Sequence, residues 1–134
     1  YRRWHERVKR TMGDKDPEHG AIFQLYYPNI MLEWYPNTIV ISTLIPVSPT
    51  RTLNVVEYYY TEEVALFERE YVEAQQAAYA ETAWEDEIIG QRTDRGRRSL
   101  ANDGVEDFGP IQSPMENGIL YFQEWLRQRL EPHV

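Results

Sequence analysis

The sequence predicts an α+β fold in which helices pack on an antiparallel sheet. Three observations support this prediction. Residues 21–60 hold four short runs rich in β-branched and aromatic residues, residues 61–94 are rich in Ala, Glu, Gln and Arg, and residues 113–131 repeat apolar residues at helical spacing. The 134 residues have room for a single domain or a domain fragment and are too few for two full-sized domains.

Residues 1–20 are predicted to be a basic helical lead-in. The first 15 residues carry six Lys and Arg against two Asp and Glu. Trp4 and Val8 lie four residues apart and therefore share one face of a helix. Residues 13–20 contain two glycines and a proline, so we expect the helix to end before them.

Residues 21–60 are predicted to form four consecutive antiparallel strands in a meander. Turn-forming residues interrupt the run at Pro28-Asn29, Pro36-Asn37 and Ser48-Pro49-Thr50. These turns leave loops of only a few residues. Such loops join antiparallel strands and are too short for the crossover that parallel strands require.

Residues 61–94 are predicted to be one long helix, since they contain no proline and no glycine before Gly90. Thr61 is a suitable N-cap. At about 1.5 Å per residue the helix would run roughly 45 Å, which leaves room for a break near Tyr79 or Gly90. Residues 95–112 are polar and contain glycine, and this composition predicts a loop.

Residues 113–131 are predicted to be a C-terminal amphipathic helix. Ser113 would be its N-cap, Pro114 its first helical residue, and Glu116 would complete a capping box. The apolar residues of one face are Ile119, Phe122 and Leu126.

Composition and charge exclude several classes of function. The net charge is 14 − 22 = −8, so neither nucleic acid nor an anionic membrane is an expected partner. The chain has no cysteine, which excludes disulfides and thiolate metal sites within it.

No apolar run approaches the roughly 20 residues that span a bilayer, and no leader is recognisable. We therefore expect a soluble, cytoplasmic protein. The chain begins at Tyr1 rather than Met, which indicates a piece of a longer protein.

Asp86 is the most informative candidate for chemistry. On a helix it shares a face with small and largely uncharged residues: Gln75, Ala78, Tyr79, Thr82, Ala83, Ile89, Gly90 and Thr93. A buried carboxylate must lose its charge or find a cation, because burying an unpaired ion is costly. A metal ion or an arginine would be such a partner. The alternative is that Asp86 belongs to the solvated face of an acidic helix.

A series of short motifs runs in a fixed order through residues 20–130. Two lie in the strands: Tyr26-Tyr27-Pro28-Asn29-Ile30-Met31-Leu32 and Trp34-Tyr35-Pro36. The others are Trp84-Glu85-Asp86, Gly96, Ser113, Glu116-Asn117-Gly118 and Phe122-Gln123-Glu124-Trp125. In this order and spacing the motifs resemble the C-terminal part of the catalytic domain of Rieske-type non-heme iron (ring-hydroxylating) oxygenase α subunits.

The resemblance implies an incomplete helix-grip (START/Bet v 1-like) catalytic domain, in which a curved antiparallel sheet grips a long helix around a substrate cavity. It implies that Asp86 is the carboxylate of a site where two histidines and one carboxylate hold a mononuclear Fe(II). It also implies a substrate pocket formed by Thr82, Tyr79, Ala83, Phe23 and Met31.

The remaining cofactor ligands are expected outside this chain. His5, His19 and His133 do not reproduce the family's histidine pattern. A [2Fe–2S] Rieske cluster needs two cysteines and two histidines, so it is expected in a missing N-terminal region. We therefore expect this fragment alone to be inactive.

The resemblance further implies a small organic substrate, O2 and an electron-donating reductase or ferredoxin. It implies a homotrimer or another homo-oligomer when the subunit is complete. The substrate would be aromatic, or a quaternary ammonium compound whose cation suits aromatic walls.

Two other hypotheses remain open on the sequence. A metal-free helix-grip domain that binds a small molecule would explain the aromatic strands and the missing histidines and cysteines without any further sequence. An interaction domain without a ligand is the third possibility.

Overall fold

The computed structural model describes residues 1–105 and 109–133. The helices and strands in chain order are α1 Arg2–Thr11, β1 Ile22–Tyr26, β2 Ile30–Tyr35, β3 Thr38–Ser48, β4 Arg51–Tyr60, α2 Glu62–Phe67, α3 Arg69–Asn102 and α4 Asn117–Leu130, followed by a 3-10 turn at Glu131–His133. The chain divides into two compact units, Tyr1–Ile88 and Ile89–Val134. The α+β class predicted from the sequence is confirmed.

The four strands form one antiparallel sheet in the order β1-β2-β3-β4. This is the predicted meander. Pro36 and Asn37 alone connect β2 to β3, and Asn37 has a φ of 58°. Asparagine tolerates this left-handed conformation better than most residues, so the turn matches its sequence.

Strand alternation divides the sheet into two faces. We call the inner face the one that carries Glu33, Val40 and Tyr58, which are aligned across β2, β3 and β4. Helix α3 packs against this face, since the Tyr79 hydroxyl lies 3.1 Å from the Ser42 Oγ. Several apolar residues of the opposite, outer face are at least 39% exposed: Ile22, Tyr26, Leu53 and Val55. The inner face is therefore the covered side of the sheet.

The core of the first unit joins all three of its helices. Its buried residues are Trp4 and Val8 from α1, Val64 from α2, and Tyr71, Ala74 and Ala78 from α3. The predicted shared face of Trp4 and Val8 is confirmed, as the two side chains are 7% and 2% exposed. Arg7 of α1 forms an ion pair with Glu70 of α3. The core borders the sheet where the Trp4 ring meets Tyr35 edge-on, with 5.5 Å between centroids.

The predicted long helix at 61–94 has different limits. The chain leaves helical geometry at Glu68, between α2 and α3. No break occurs near Tyr79 or Gly90, and α3 continues to Asn102, so the prediction of a loop from residue 95 is wrong. A single helical glycine costs only about 1 kcal/mol, and an Asp94–Arg98 ion pair of 2.8 Å supports the last turns.

The predicted start of the C-terminal helix is also wrong. Helix α4 begins at Asn117, with Glu116 in place of Ser113 as its N-cap and no side-chain cap. The Glu116 carboxylate accepts a hydrogen bond from the Gln112 backbone N–H at 2.7 Å. It therefore does not close the capping box, and the chain before α4 runs through turns instead.

No helix in the described part of the chain is long and apolar enough to cross a membrane.

Candidate functional site

A cavity of about 550 Å3 lies in the first unit, lined by the inner face of the sheet, by α3 and by the start of the chain. Its volume is in the range that binds small organic ligands. The cavity walls include aromatic rings from four elements, α1, β1, β2 and α3: Trp4, Phe23, Tyr35 and Tyr79. Its carboxylates are Glu33, Asp86 and Glu87.

The structure brings all five predicted pocket residues together. Phe23 of β1 and Met31 of β2 line the cavity from the sheet, and Tyr79, Thr82 and Ala83 line it from α3. The helix residues share the wall because positions three and four apart lie on one face. Whether these residues contact a substrate remains a prediction.

Asp86 lines the same cavity, one turn beyond Thr82 on α3. Its side chain is exposed, so water can solvate the charge. Burial therefore does not force Asp86 to find a cation, and the exposure matches the alternative prediction of a solvated helix face. Asp86 makes no hydrogen bond or ion pair with another described residue, and its carboxylate oxygens remain available to a ligand. Its role as an iron ligand remains a prediction.

Glu87 is a cavity residue that the sequence analysis did not select. It is not among the residues that share the helix face of Asp86, yet it lines the cavity as well.

The described residues do not by themselves make up an iron site. Across residues 1–105 and 109–133, no three His, Asp or Glu side chains converge so as to hold a metal ion. His5 and His19 are both exposed, on α1 and in the following loop. The part of the chain that is described thus offers Asp86 as one candidate ligand and no histidine beside it.

Glu33 is a cavity carboxylate held by two hydrogen bonds. Tyr35 donates its hydroxyl hydrogen to Glu33 Oε2 at 2.5 Å, and Tyr79 donates to Oε1 at 3.1 Å. The Ser42 Oγ lies 3.1 Å from the Tyr79 hydroxyl and can donate to it. Because Tyr35 shares its strand with Glu33 while Tyr79 comes from α3, the carboxylate is fixed from both the sheet and the helix.

The tyrosines around Glu33 stay protonated at neutral pH. Burial, followed by the hydrogen bond to Glu33 and its charge, raises the pKa of Tyr35 far above its ordinary value. Burial is also the main cause that raises the pKa of Tyr79, and it raises the pKa of Tyr58 to about 12. These hydroxyl groups therefore act as neutral hydrogen-bond partners, and the phenols add no negative charge to the cavity.

Glu33 was not among the predicted pocket residues, although the strand pattern contained the signal. Met31 was selected as a pocket residue, and Glu33 and Tyr35 follow it at spacings of two and four, which place all three on one face of β2. Tyr79, 46 residues further along the chain, could not be assigned to Glu33 from local spacing.

The family model described as the catalytic domain of the ring-hydroxylating alpha subunit matches residues 1–132. The chain belongs to this family. The resemblance to Rieske-type oxygenase α subunits is thereby confirmed. The family consists of terminal oxygenases that normally use a mononuclear iron, a Rieske cluster, O2 and electrons from a reductase or ferredoxin.

The chain is also similar to individual enzymes of known name. A putrescine 2-hydroxylase of Bordetella bronchiseptica is 51% identical over 96% of this chain. A putrescine 2-hydroxylase of Ralstonia nicotianae is 51% identical over 98% of this chain. The chloroplastic choline monooxygenase of Spinacia oleracea is 29% identical over 92%. The match covers 30%, 36% and 29% of these relatives' lengths, respectively. No solved structure matches the chain.

Proposed function

We propose that this chain is the C-terminal portion of the α subunit of a Rieske non-heme iron oxygenase that hydroxylates an aliphatic amine, with putrescine as the first candidate. The observation that carries this proposal is the 51% identity to two putrescine 2-hydroxylases over nearly the whole chain. Of the two substrate classes implied by the resemblance, the cationic one is favoured by these relatives.

The chemistry of the cavity supports a cationic substrate. Primary amines titrate near pH 10, so that putrescine carries ammonium groups at neutral pH. The described cavity wall contains carboxylates and aromatic rings and no Lys, Arg or His. Carboxylates attract ammonium groups, and aromatic faces stabilise cations by roughly 0.5–2 kcal/mol. A small amine therefore meets favourable charge on several sides of this cavity.

Asp86 is proposed as the carboxylate ligand of the mononuclear Fe(II), with two histidines from sequence outside this chain. The metal, when bound, would supply the activation of O2. Asp86 suits this role because its carboxylate lines the cavity without a hydrogen bond to another described residue. The five predicted pocket residues, Thr82, Tyr79, Ala83, Phe23 and Met31, would surround the substrate.

The complete subunit is proposed to carry its [2Fe–2S] Rieske cluster in the N-terminal region and to receive electrons from a reductase or ferredoxin. We further propose that its catalytic domain is of the helix-grip type. The subunit would work as a homotrimer or another homo-oligomer in the cytoplasm.

The direct test is turnover by the full-length subunit. The protein is supplied with a suitable reductase, O2 and putrescine, and the products are analysed by mass spectrometry. We expect a product one oxygen atom heavier than putrescine, with little product from choline or an aromatic acid. Turnover of an aromatic acid without turnover of any amine would contradict the proposal.

The second test addresses the role of Asp86. In the full-length subunit, Asp86→Ala is expected to abolish iron occupancy of the mononuclear site and turnover, and to leave the visible spectrum of the cluster intact. Glu85→Ala, on the neighbouring face of α3, is the matched control and should retain iron. Normal iron content in Asp86→Ala would remove Asp86 from the ligand set. A full-length protein that binds amines and never binds iron would support the metal-free binding domain instead.

A further inference from the structure

We propose that Glu33 binds an ammonium group of the substrate, with Tyr35 and Tyr79 as the residues that position its carboxylate. The inference rests on the proposed function, since it supposes that the substrate is an amine. It adds the residue that would select a cation over a neutral molecule of the same shape.

Glu33 has unused hydrogen-bonding capacity. An ionised carboxylate can accept about four hydrogen bonds. Tyr35 and Tyr79 account for one hydrogen bond on each oxygen. No other described residue bonds to Glu33, and no described Lys, Arg or His forms an ion pair with it. Glu33 can therefore accept further hydrogen bonds, and its side chain lines the cavity. An ammonium group in the cavity would supply a positive charge and the hydrogen-bond donors that Glu33 lacks.

A second carboxylate of the same sheet, Glu57, differs from Glu33 in its surroundings. Glu57 of β4 also accepts a hydrogen bond from a tyrosine two residues later, from the Tyr59 hydroxyl at 3.3 Å. Glu57 lies on the outer face, where both residues are exposed and water solvates the charge. Glu33 lies on the inner face, is partly buried, and gains a second phenol from α3. Of these two carboxylates of the sheet, Glu33 combines restraint by hydrogen bonds with a position on the cavity wall.

The cavity extends along α3 from Glu33 toward Asp86. Tyr79, which holds Glu33, and Asp86 are seven residues apart on α3, which corresponds to about 10 Å along the helix axis. Between them the cavity wall is formed by the small residues Thr82 and Ala83. An amine held at Glu33 therefore has room to extend its carbon chain along α3 toward Asp86, as a short aliphatic substrate requires.

The test compares the binding of a diamine with that of its neutral isostere. The full-length subunit and its variants are titrated without O2 with putrescine and with butane-1,4-diol, and the dissociation constants are measured by calorimetry. Glu33→Gln is expected to weaken putrescine binding by about 10- to 100-fold, the effect of losing a charged hydrogen bond. Binding of the diol is expected to change less than about twofold, since it places no charge at Glu33. Glu57→Gln, the matched control, should change neither constant.

The positioning role is tested with Tyr35→Phe and Tyr79→Phe. Each leaves the carboxylate in place and removes one of its two restraints, so each should weaken putrescine binding by severalfold and spare the diol. A loss that is equal for the diamine and the diol would indicate a merely structural role and would overturn the assignment. If Glu33→Gln does not accumulate as folded protein, Glu33→Asp keeps the charge, withdraws it by one methylene group, and must show the same selective loss.

The outcomes separate the two proposals. If the wild-type subunit hydroxylates putrescine while Glu33→Gln binds it normally, the Glu33 assignment fails and the proposed function stands. If the wild-type subunit neither binds nor oxidises any amine, the proposed function fails and the Glu33 assignment fails with it.

Discussion

The hydrogen bond between Ser42 and Tyr79 allows a quantitative test of how α3 is held on the sheet. Ser42 is fully buried at 0% exposure, and its Oγ lies 3.1 Å from the Tyr79 hydroxyl. Tyr79→Phe removes that hydroxyl and leaves the buried Ser42 hydroxyl without this partner. An unsatisfied buried polar group costs about 1–3 kcal/mol, and the hydrogen bond from Tyr79 to Glu33, which is lost as well, is worth about 1 kcal/mol. We therefore expect a loss of about 3 kcal/mol in the free energy of unfolding.

Ser42→Ala alone should cost less. Tyr79 keeps its hydrogen bond to Glu33, so the variant loses a single neutral hydrogen bond worth about 1 kcal/mol. In the double variant the serine hydroxyl is absent and cannot be stranded. The double variant loses only the two hydrogen bonds of Tyr79, so its loss should be about 2 kcal/mol, where independent sites would give about 4 kcal/mol.

The assay is equilibrium urea unfolding of the four proteins, followed by far-ultraviolet circular dichroism. The coupling free energy is obtained from the double-mutant cycle. Strictly additive losses would refute the reasoning, because they would mean that the two hydroxyl groups do not interact. Ser42→Ala together with the exposed control Thr50→Ala provides a pair for which additivity is expected.

Two further predictions follow from the cavity and its tyrosines. Burial raises the pKa of Tyr58 to about 12 in the folded protein, against about 10 in the unfolded chain. The neutral Tyr58 side chain therefore stabilises the fold fully below about pH 10, and this stabilisation is lost between about pH 10 and 12. Phenolate absorbance should show Tyr58 ionising above pH 10 by comparison with Tyr58→Phe, and ionisation near pH 10 would contradict this. Thr82→Phe should fill part of the cavity and raise the KM for putrescine by about tenfold or more. The control Ala80→Phe lies on an exposed part of α3 outside the cavity and should leave the KM unchanged. Equal KM values for the two variants would exclude Thr82 from the substrate wall.

The features predicted correctly from the sequence are those that depend on near neighbours in the chain. Short turns at Pro28-Asn29, Pro36-Asn37 and Ser48-Pro49-Thr50 were sufficient for the meander, since such loops permit only antiparallel neighbours. The spacing of Tyr79, Thr82, Ala83 and Asp86 correctly placed them on one face of a helix, since helical periodicity is local, and in the structure all four line the cavity.

The errors arose where competing local signals had to be weighed. Gly96 suggested a loop, yet neighbouring helix formers and the Asp94–Arg98 pair outweigh the cost of one glycine. The Ser113 capping box was a good local signal, but Glu116 bonds to Gln112 instead. The burial assumed for Asp86 was a tertiary property, and the exposed position that the structure gives it could not be read from its helix face alone.

Glu33 and Asp86 differ in a way that separates their proposed roles. Both oxygens of Glu33 already accept phenol hydrogen bonds, which orient the carboxylate and would have to be broken or shared for a metal to bind there. Asp86 has no such restraint among the described residues, so its lone pairs are free for coordination but its side chain is poorly fixed as an anchor for a substrate.

The two carboxylates should consequently give opposite results in the full-length subunit. Glu33→Gln should keep iron and lose amine affinity, while Asp86→Ala should lose iron and keep most of its affinity for putrescine. Loss of iron in Glu33→Gln with unchanged iron in Asp86→Ala would require the two roles to be exchanged.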